Sequence, residues 1–387
     1  MDARYTVSRI GVLALASALA APLAARADVT VRPEGGGAFV VEDASGTVAR
    51  VRIEESTGRW LRDGALFLHT PGTGNLFVGN AAGNPLVAGN NNVAFGASAL
   101  AAVGNGSRNT AFGSSALQAV SAGQDNAAFG TLALGFNTGS ENAALGAFAL
   151  VLNTTGTGNA AVGYNALGVN TTGSRNTAFG ARALDASTTT DDNAAFGHEA
   201  LGLTTTGDEN SAFGSGALRD NTIGFWNTAV GTHALERNTT GRYNVAVGHQ
   251  AMRFGQVGWG NVALGVGALF AHTTGHYNVA IGTDALDLLT AGDSNIAIGL
   301  QAGNYNVNGS DNVYLASPGP ALPQSSESNT IRVGTTGLHT SSYIAGVSGR
   351  SRRAACRWWS PRTASSGPSC RRRATSGTSR VWARAAR

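Results

Sequence analysis

Fourteen glycines fall on a ruler. They stand at 79, 96, 113, 130, 146, 163, 180, 197, 214, 231, 248, 265, 282 and 299, so twelve of the thirteen intervals are 17 residues and one is 16. With 54 glycines in 387 residues, chance does not make that series. Four residues before each glycine is an asparagine: Asn75, then Asn92, Asn109, Asn126, Asn142, Asn159, Asn176, Asn193, Asn210, Asn227, Asn244, Asn261, Asn278 and Asn295. Asn312 carries the frame one step further, with Ala316 in place of the glycine. Alanine sits two before the glycine in every copy but the first, and a large apolar residue (Phe95, Phe112, Leu145, Val162, Ile281) sits one before it. From Ala99-Leu100 to Ala285-Leu286 an Ala-Leu pair follows three residues later, with Ala251-Met252 as the variant. A second glycine precedes the first by seven residues, and Thr190 is the exception.

A fixed short period means a stack of like units, each contacting only its neighbours. Seventeen residues cannot hold two helices and their turns. The segment Asn-x-Ala-Phe-Gly alternates small and large, which is strand periodicity, and turn residues such as Asn153-Thr-Thr-Gly156 and Asn238-Thr-Thr-Gly241 separate the apolar stretches. The expectation is therefore an all-β chain, a parallel β-solenoid of about 15 coils, one per repeat, over residues 72–316. At the usual interstrand spacing such a stack is about 70 Å long. The repeat asparagines are expected to form a structural ladder, amide to amide from coil to coil. The Phe/Leu/Val/Ile position and the Leu after Ala are read as apolar fill. The strand is apolar on both faces, so one face lines the coil and the other needs a cover. A second copy of the same chain is the expected cover.

The rest of the chain is organised around this stack. Residues 1–27 read as a secretory signal: Arg4 and Arg9, an apolar run from Ile10 to Leu23, and Ala25-Arg-Ala27 before Asp28. No later stretch is apolar enough to span a bilayer, which points to an exported protein at the cell surface, on the outer membrane or in the medium. Residues 28–71, with Ala38-Phe-Val-Val41 and Val48 to Ile53, read as a β cap over the first coil's open edge. Residues 317–349 form a neck in which Asn329 to Gly334 resumes a strand.

Residues 350–387 differ from all that precedes them. They hold eleven of the 27 Arg, no acid, both cysteines (Cys356 and Cys370) and three of the six Trp. The remaining 16 Arg stand against 23 acids, a net of −7, so the apparent basicity is the tail's alone. Reading the codons that Trp358-Trp359 and their successors permit in a shifted frame spells an ordinary sequence containing SSARYK. The tail is accordingly read as frameshifted and disordered, and a nucleic-acid partner is not expected.

Phrases such as Asn159-Ala-Ala-Val-Gly-Tyr-Asn-Ala-Leu167 and Asn227-Thr-Ala-Val-Gly231 resemble the YadA-like head repeats of trimeric autotransporter adhesins. That resemblance covers residues 72–316 and implies a left-handed parallel β-roll, a homotrimer, and adhesion to a host matrix or surface glycan. The 17-residue period is longer than the family's usual repeat, and the family's membrane-anchor barrel is missing here. Asn329-Thr-Ile-Arg-Val-Gly334 and Ile344 to Gly349 are similar to the segment before a tail-fibre-type, self-cleaving intramolecular chaperone. The Ser and Lys that such cleavage implies are not in place in this frame.

Catalysis needs paired carboxylates or a nucleophile with its base. The acids Asp191-Asp192, Asp208-Glu209 and Asp293 sit in turns before the repeat Asn, and the histidines at 198, 233, 249, 272 and 276 have no metal-ligand spacing. The alternative functions are a glycan-degrading, tailspike-like fibre, or the precursor of a self-cleaving chaperone-type (peptidase S74) fibre truncated by the frameshift, and turn calcium sites lack the Gly-Gly-x-Gly-x-Asp pattern. No cofactor, metal or catalytic residue is expected. One candidate ligand strip stands out: Trp226, Tyr243 and Tyr277 share one phase, five before the glycine, and Trp259 lies one residue off it. Such aromatics would line one edge over four coils.

Overall fold

The computed structural model describes residues 30–34, 38–42, 49–54, 59–62, 65–320 and 325–340. The expected signal segment, part of the expected neck and the whole of the 350–387 tail lie outside the described residues. Contacts divide the chain into a unit ending at His339 and a second beginning at Thr340, and every element below belongs to the first. Among the described residues there is no helix.

Five strands precede the stack: β1 (Thr30–Glu34), β2 (Ala38–Glu42), β3 (Ala49–Glu54), β4 (Trp60–Arg62) and β5 (Ala65–His69). They pair in order as an antiparallel meander. β5 then pairs antiparallel with β6 (Leu76–Val78), His69 facing Phe77. From β6 onward every strand is three residues long and pairs parallel with the next, one coil later, as far as Val313–Leu315. That makes the fifteen coils expected from the period. Ile331–Val333 adds one more parallel strand beyond them.

The strands are short because most of each coil is corner. The residue before the repeat Asn, the second residue after the glycine and the Leu all adopt left-handed backbone, as in Arg108, Ser115 and Leu117. Left-handed backbone costs an L-residue roughly 1–2 kcal/mol, so three such corners cost a coil about 3–6 kcal/mol. No coil can meet that cost alone. Backbone hydrogen bonds to both neighbours offset it: Gly113 N donates to Phe95 O at 2.8 Å below, and Leu117 N to Ala133 O at 3.0 Å above.

Asparagine closes the corner. Asn109 Nδ2 donates to Asn92 Oδ1 (3.1 Å) and to Gly123 O (2.8 Å), while its backbone N donates to Asn92 Oδ1 (3.0 Å). The backbone bond and the bond to the next coil's carbonyl recur from coil to coil, the amide-to-amide bond recurs on most of them, and Thr330 N ends the ladder on Asn312 Oδ1 at 3.0 Å. The glycine after the strand is needed for two reasons. At Gly180 φ is +145°, and a Cβ would lie 2.3 Å from Gly197 O of the next coil.

The interior is narrow. Alanine two before the glycine and the Ala-Leu pair from the opposite wall are buried along the stack, Ala111, Ala116 and Leu117 all at 0% exposure. The large residue one before the glycine is not fill, contrary to the sequence expectation. Successive strand residues face opposite ways, and once Leu117 and its equivalents occupy the interior only Ala fits beside them. Phe95, Phe112 and Phe129 therefore stack on the outside, with ring centres 4.9 and 5.2 Å apart.

Both ends of the stack exchange volume. The first coil has Phe77 where Ala belongs and Gly83 where Leu belongs, and a Cβ on Gly83 would sit 2.1 Å from the Phe77 ring. At the far end Tyr314 replaces Ala, and Gly303 replaces the Leu beneath it. One aromatic ring thus plugs each end of the alanine-leucine core.

A second buried column runs seven residues after the glycine: Val103, Val120, Asn137, Asn153, Asn170, Ser187, Thr204, Asn221, Asn238, His272, Leu289 and Asn306. Where asparagines are adjacent they bond, Asn153 Nδ2 to Asn137 Oδ1 at 2.5 Å and Asn238 Nδ2 to Asn221 Oδ1 at 2.8 Å.

Two substitutions test this architecture in thermal or denaturant melts. Asn210→Leu removes donors to Asn193 Oδ1 and Gly224 O and the acceptor for Asn227, and should destabilise by on the order of 1–3 kcal/mol. A neutral melt would show that the ladder carries no stability. Gly180→Ala meets both the backbone strain and the neighbouring carbonyl, and should cost on the order of 3 kcal/mol.

Candidate functional site: an aromatic corner and an apolar face

Corner residues preceding the repeat Asn point away from the core, so neither packing nor the ladder dictates their identity. On most coils they are charged or small: Arg108, Asp125, Glu141, Asp192, Glu209. From Phe225 to Tyr277 they become aromatic in two adjacent columns. One column, immediately before Asn, reads Trp226, Tyr243, Gly260, Tyr277; the other, one residue earlier, reads Phe225, Arg242, Trp259, His276.

The structure brings all four expected strip residues together on one edge. Trp226 and Tyr243 lie 4.9 Å apart, and Trp259 and Tyr277 4.5 Å apart, in ring-centre distance. Three residues the sequence reading left out complete the strip. Phe225 packs edge-on against Trp226 (5.0 Å) and Tyr243 (5.8 Å), and His276 packs on Trp259 (5.1 Å). The Arg242 guanidinium then joins the two halves, 5.8 Å from the Phe225 ring centre and 5.7 Å from that of Trp259. The signal was present in the neighbouring column and is visible only when both are aligned.

Cross-coil backbone bonds fix the strip: Tyr243 N to Phe225 O (3.3 Å), Gly260 N to Arg242 O (3.1 Å) and Tyr277 N to Trp259 O (3.1 Å). Trp226, Tyr243 and Tyr277 nevertheless remain 44%, 47% and 55% exposed.

Four of the five candidate acids are spent on neighbouring coils. Asp192 holds Arg175 at 2.7 Å, Asp191 Oδ1 accepts from Ser174 N at 2.7 Å, Asp208 Oδ1 from Asp191 N at 2.9 Å, and Asp293 Oδ1 from His276 N at 2.7 Å. On another corner Glu236, 2% exposed, sits between Arg219 (2.9 Å) and Arg253 (2.6 Å). Among the described residues no group of three or more His, Cys, Asp or Glu is placed to hold a metal ion.

The second surface is the outward strand face. Phe112 is 38% exposed, Leu145 53% and Phe179 47%, and the column is apolar on every coil from Phe95 to Leu315. Where Leu145 and Val162 stand in for phenylalanine, an apolar depression of about 500 Å³ opens between Phe129 and Phe179.

Comparison with protein-family models, with curated proteins and with solved structures finds no match to this chain.

Burial shifts several groups. Asp287 is pushed up to about 6 by desolvation and by the charge of Asp284, and His272 is pushed down to about 4 chiefly by desolvation. The His272 shift favours the neutral ring in the folded state. Its contribution to stability is thus present above the ordinary histidine value of 6.5 and lost as pH falls through about 4. The loss should be on the order of 2–3 kcal/mol. His272→Asn, which restores the commonest polar residue of that column, should abolish this part of the acid sensitivity between pH 6.5 and 4. Melting temperatures of both proteins across that window give the measurement, and parallel curves would refute it.

Proposed function

We propose that this chain is an exported fibrous protein that assembles through its outward apolar face into a homotrimer and presents a repetitive adhesive surface at the cell exterior. The observation that carries the reading is the apolar column itself. It runs the length of the coil stack, most of its members are about two-fifths to one-half exposed in a single chain while Val162, Phe196, Val247 and Ile281 are half-buried, and contiguous apolar surface on that scale marks an interface. The column keeps a large apolar residue on every coil from Phe95 to Leu315, although nothing in the single chain requires one there. A straight, repetitive partner satisfies it on every coil at once, and further copies of the same stack have that shape.

The likeness of the repeats to trimeric adhesin heads supports three copies over two. The basic start, apolar run and Ala25-Arg-Ala27 support export. Adhesion follows from geometry and arithmetic: a rigid stack holding the same weak surface many times binds through multivalency, without needing a strong single site.

Light scattering of the chain from Asp28 onward should give a mass of three chains. Phe179→Asp discriminates further, because an exposed residue of a monomer tolerates the change within about 0.5 kcal/mol, whereas a trimer should dissociate or lose several degrees of melting temperature. A stable monomer that binds no apolar dye and melts like the Phe179→Asp variant overturns the reading.

A further inference from the structure

We propose that the corner strip centred on Arg242 is a binding site for a carboxylated polysaccharide. Sugar rings would stack on its aromatic side chains, and a sugar carboxylate would be held by the Arg242 guanidinium.

Three observations carry this. The first is exposed aromatic area with no partner in the chain. Trp226, Tyr243 and Tyr277 keep about half their surface open while their backbones are fixed by cross-coil bonds, so the platform is rigid before any ligand arrives. Exposed, pre-ordered aromatic rings offer stacking area at little entropic cost.

The second is the cation. Arg108, Arg175, Arg182, Arg219 and Arg253 each hold a carboxylate of the chain. Arg242 has no carboxylate partner among the described residues and lies exposed between Phe225 and Trp259. Its planar fork is therefore free to take a carboxylate in two parallel bonds, the geometry arginine favours.

The third is the outline. The next coil before the strip carries Asp208 and Glu209 in the two columns, and the next coil after it carries Asp293. The site is thus four coils long, about 15–20 Å at the coil spacing, which suits a chain of several sugars better than one. Within it Gly260 leaves its column without a side chain between Tyr243 and Tyr277, and a Cβ there would lie 3.0 Å from the Tyr277 ring.

Single-stranded nucleic acid also stacks on aromatic platforms, but it carries a charge on every unit and its backbone requires several cations along the groove. One arginine bounded by acids at both ends suits a sugar chain whose carboxylates are spaced apart, as on the alternate sugars of hyaluronate, and disfavours nucleic acid. The site is complete on one chain, so it does not depend on assembly. It rests on the proposed export only for where the ligand is met.

The test is titration of the full chain, followed by tryptophan emission, with polygalacturonate, hyaluronate, neutral dextran and oligothymidylate. Saturable binding of at least one carboxylated polysaccharide, with weaker or no binding of dextran and oligothymidylate, is the expected result. Trp226→Ala combined with Trp259→Ala, read by a pull-down on immobilised polysaccharide, should weaken binding about tenfold or more. Arg242→Gln removes no buried atom and keeps the measurement valid if the double variant fails to fold; it should weaken the carboxylated ligand about tenfold and leave dextran unchanged. The proposal is overturned by no binding to either carboxylated polysaccharide, by binding that Arg242→Gln leaves unchanged, by preferential binding of oligothymidylate, or by a change of oligomeric mass in Arg242→Gln. Light scattering on the same samples separates the two readings. A monomer that binds overturns the trimer alone, and a trimer that does not bind overturns the strip alone.

Discussion

Left-handed corners are the constraint on which the rest of this molecule depends. Thirty-eight non-glycine residues among those described hold positive φ, a conformation that L-residues avoid, and they hold it because the coils above and below fix the same turn. The repeat asparagine is where that mutual support becomes chemical. Its side chain takes the carbonyl of the second glycine one coil on, its oxygen accepts from the asparagine that follows, and both bonds are buried. Composition follows from the same constraint. Alanine is the interior residue because leucine reaches across from a left-handed corner. Glycine recurs because a neighbouring carbonyl occupies the space where a β-carbon would be.

A period of 17 was enough to read the solenoid and its coil number, because any other fold wastes so regular a spacing. What the letters could not convey was direction. Phe112 and Ala111 are adjacent and both apolar, and which one faces inward depends on what the opposite wall contributes. Leu117 had already filled the interior, so phenylalanine went outside. The second buried column escaped notice for a different reason. It mixes Val, Asn, Ser, Thr, His and Leu, and a position that is conserved in burial but not in residue type leaves no mark in a single chain. The plugs were half visible, since the first and last repeats broke the pattern at Phe77 and Tyr314. The compensating Gly83 and Gly303 make sense only once the rings are seen lying over them. At the corner strip Trp226, Tyr243, Trp259 and Tyr277 were legible from phase alone. Arg242, Phe225 and His276 were not, because their column looks like unremarkable turn sequence until it lies beside the other.

Three sets of positions divide the work. The alanine-leucine core and the asparagine corner are nearly invariant, since a change there is felt on three coils. The outward strand column is constrained in kind, large and apolar, but not in identity. The residues before the asparagine are constrained by neither, and the departures from small or charged residues concentrate there. A scaffold this repetitive can acquire a local surface by changing letters in one column over a few coils, without altering a single buried contact.

The one 16-residue interval shows what the stack tolerates. Between Gly130 and Gly146 a residue is missing, yet the Asn142 backbone still donates to Asn126 Oδ1 at 3.0 Å, and its side chain turns to Asn137 Oδ1 at 3.3 Å. The shortfall is absorbed in the turn, and the next strand remains in register with its neighbours. Register is therefore restored within each coil and not counted from the chain's start. Loss or duplication of a whole coil joins two ladders that already match, so the gene can lengthen or shorten this protein in steps of one coil. Unequal recombination between near-identical segments such as Asn109 to Leu117 and Asn176 to Leu184 supplies such steps, which makes the reach of the fibre an easily varied trait.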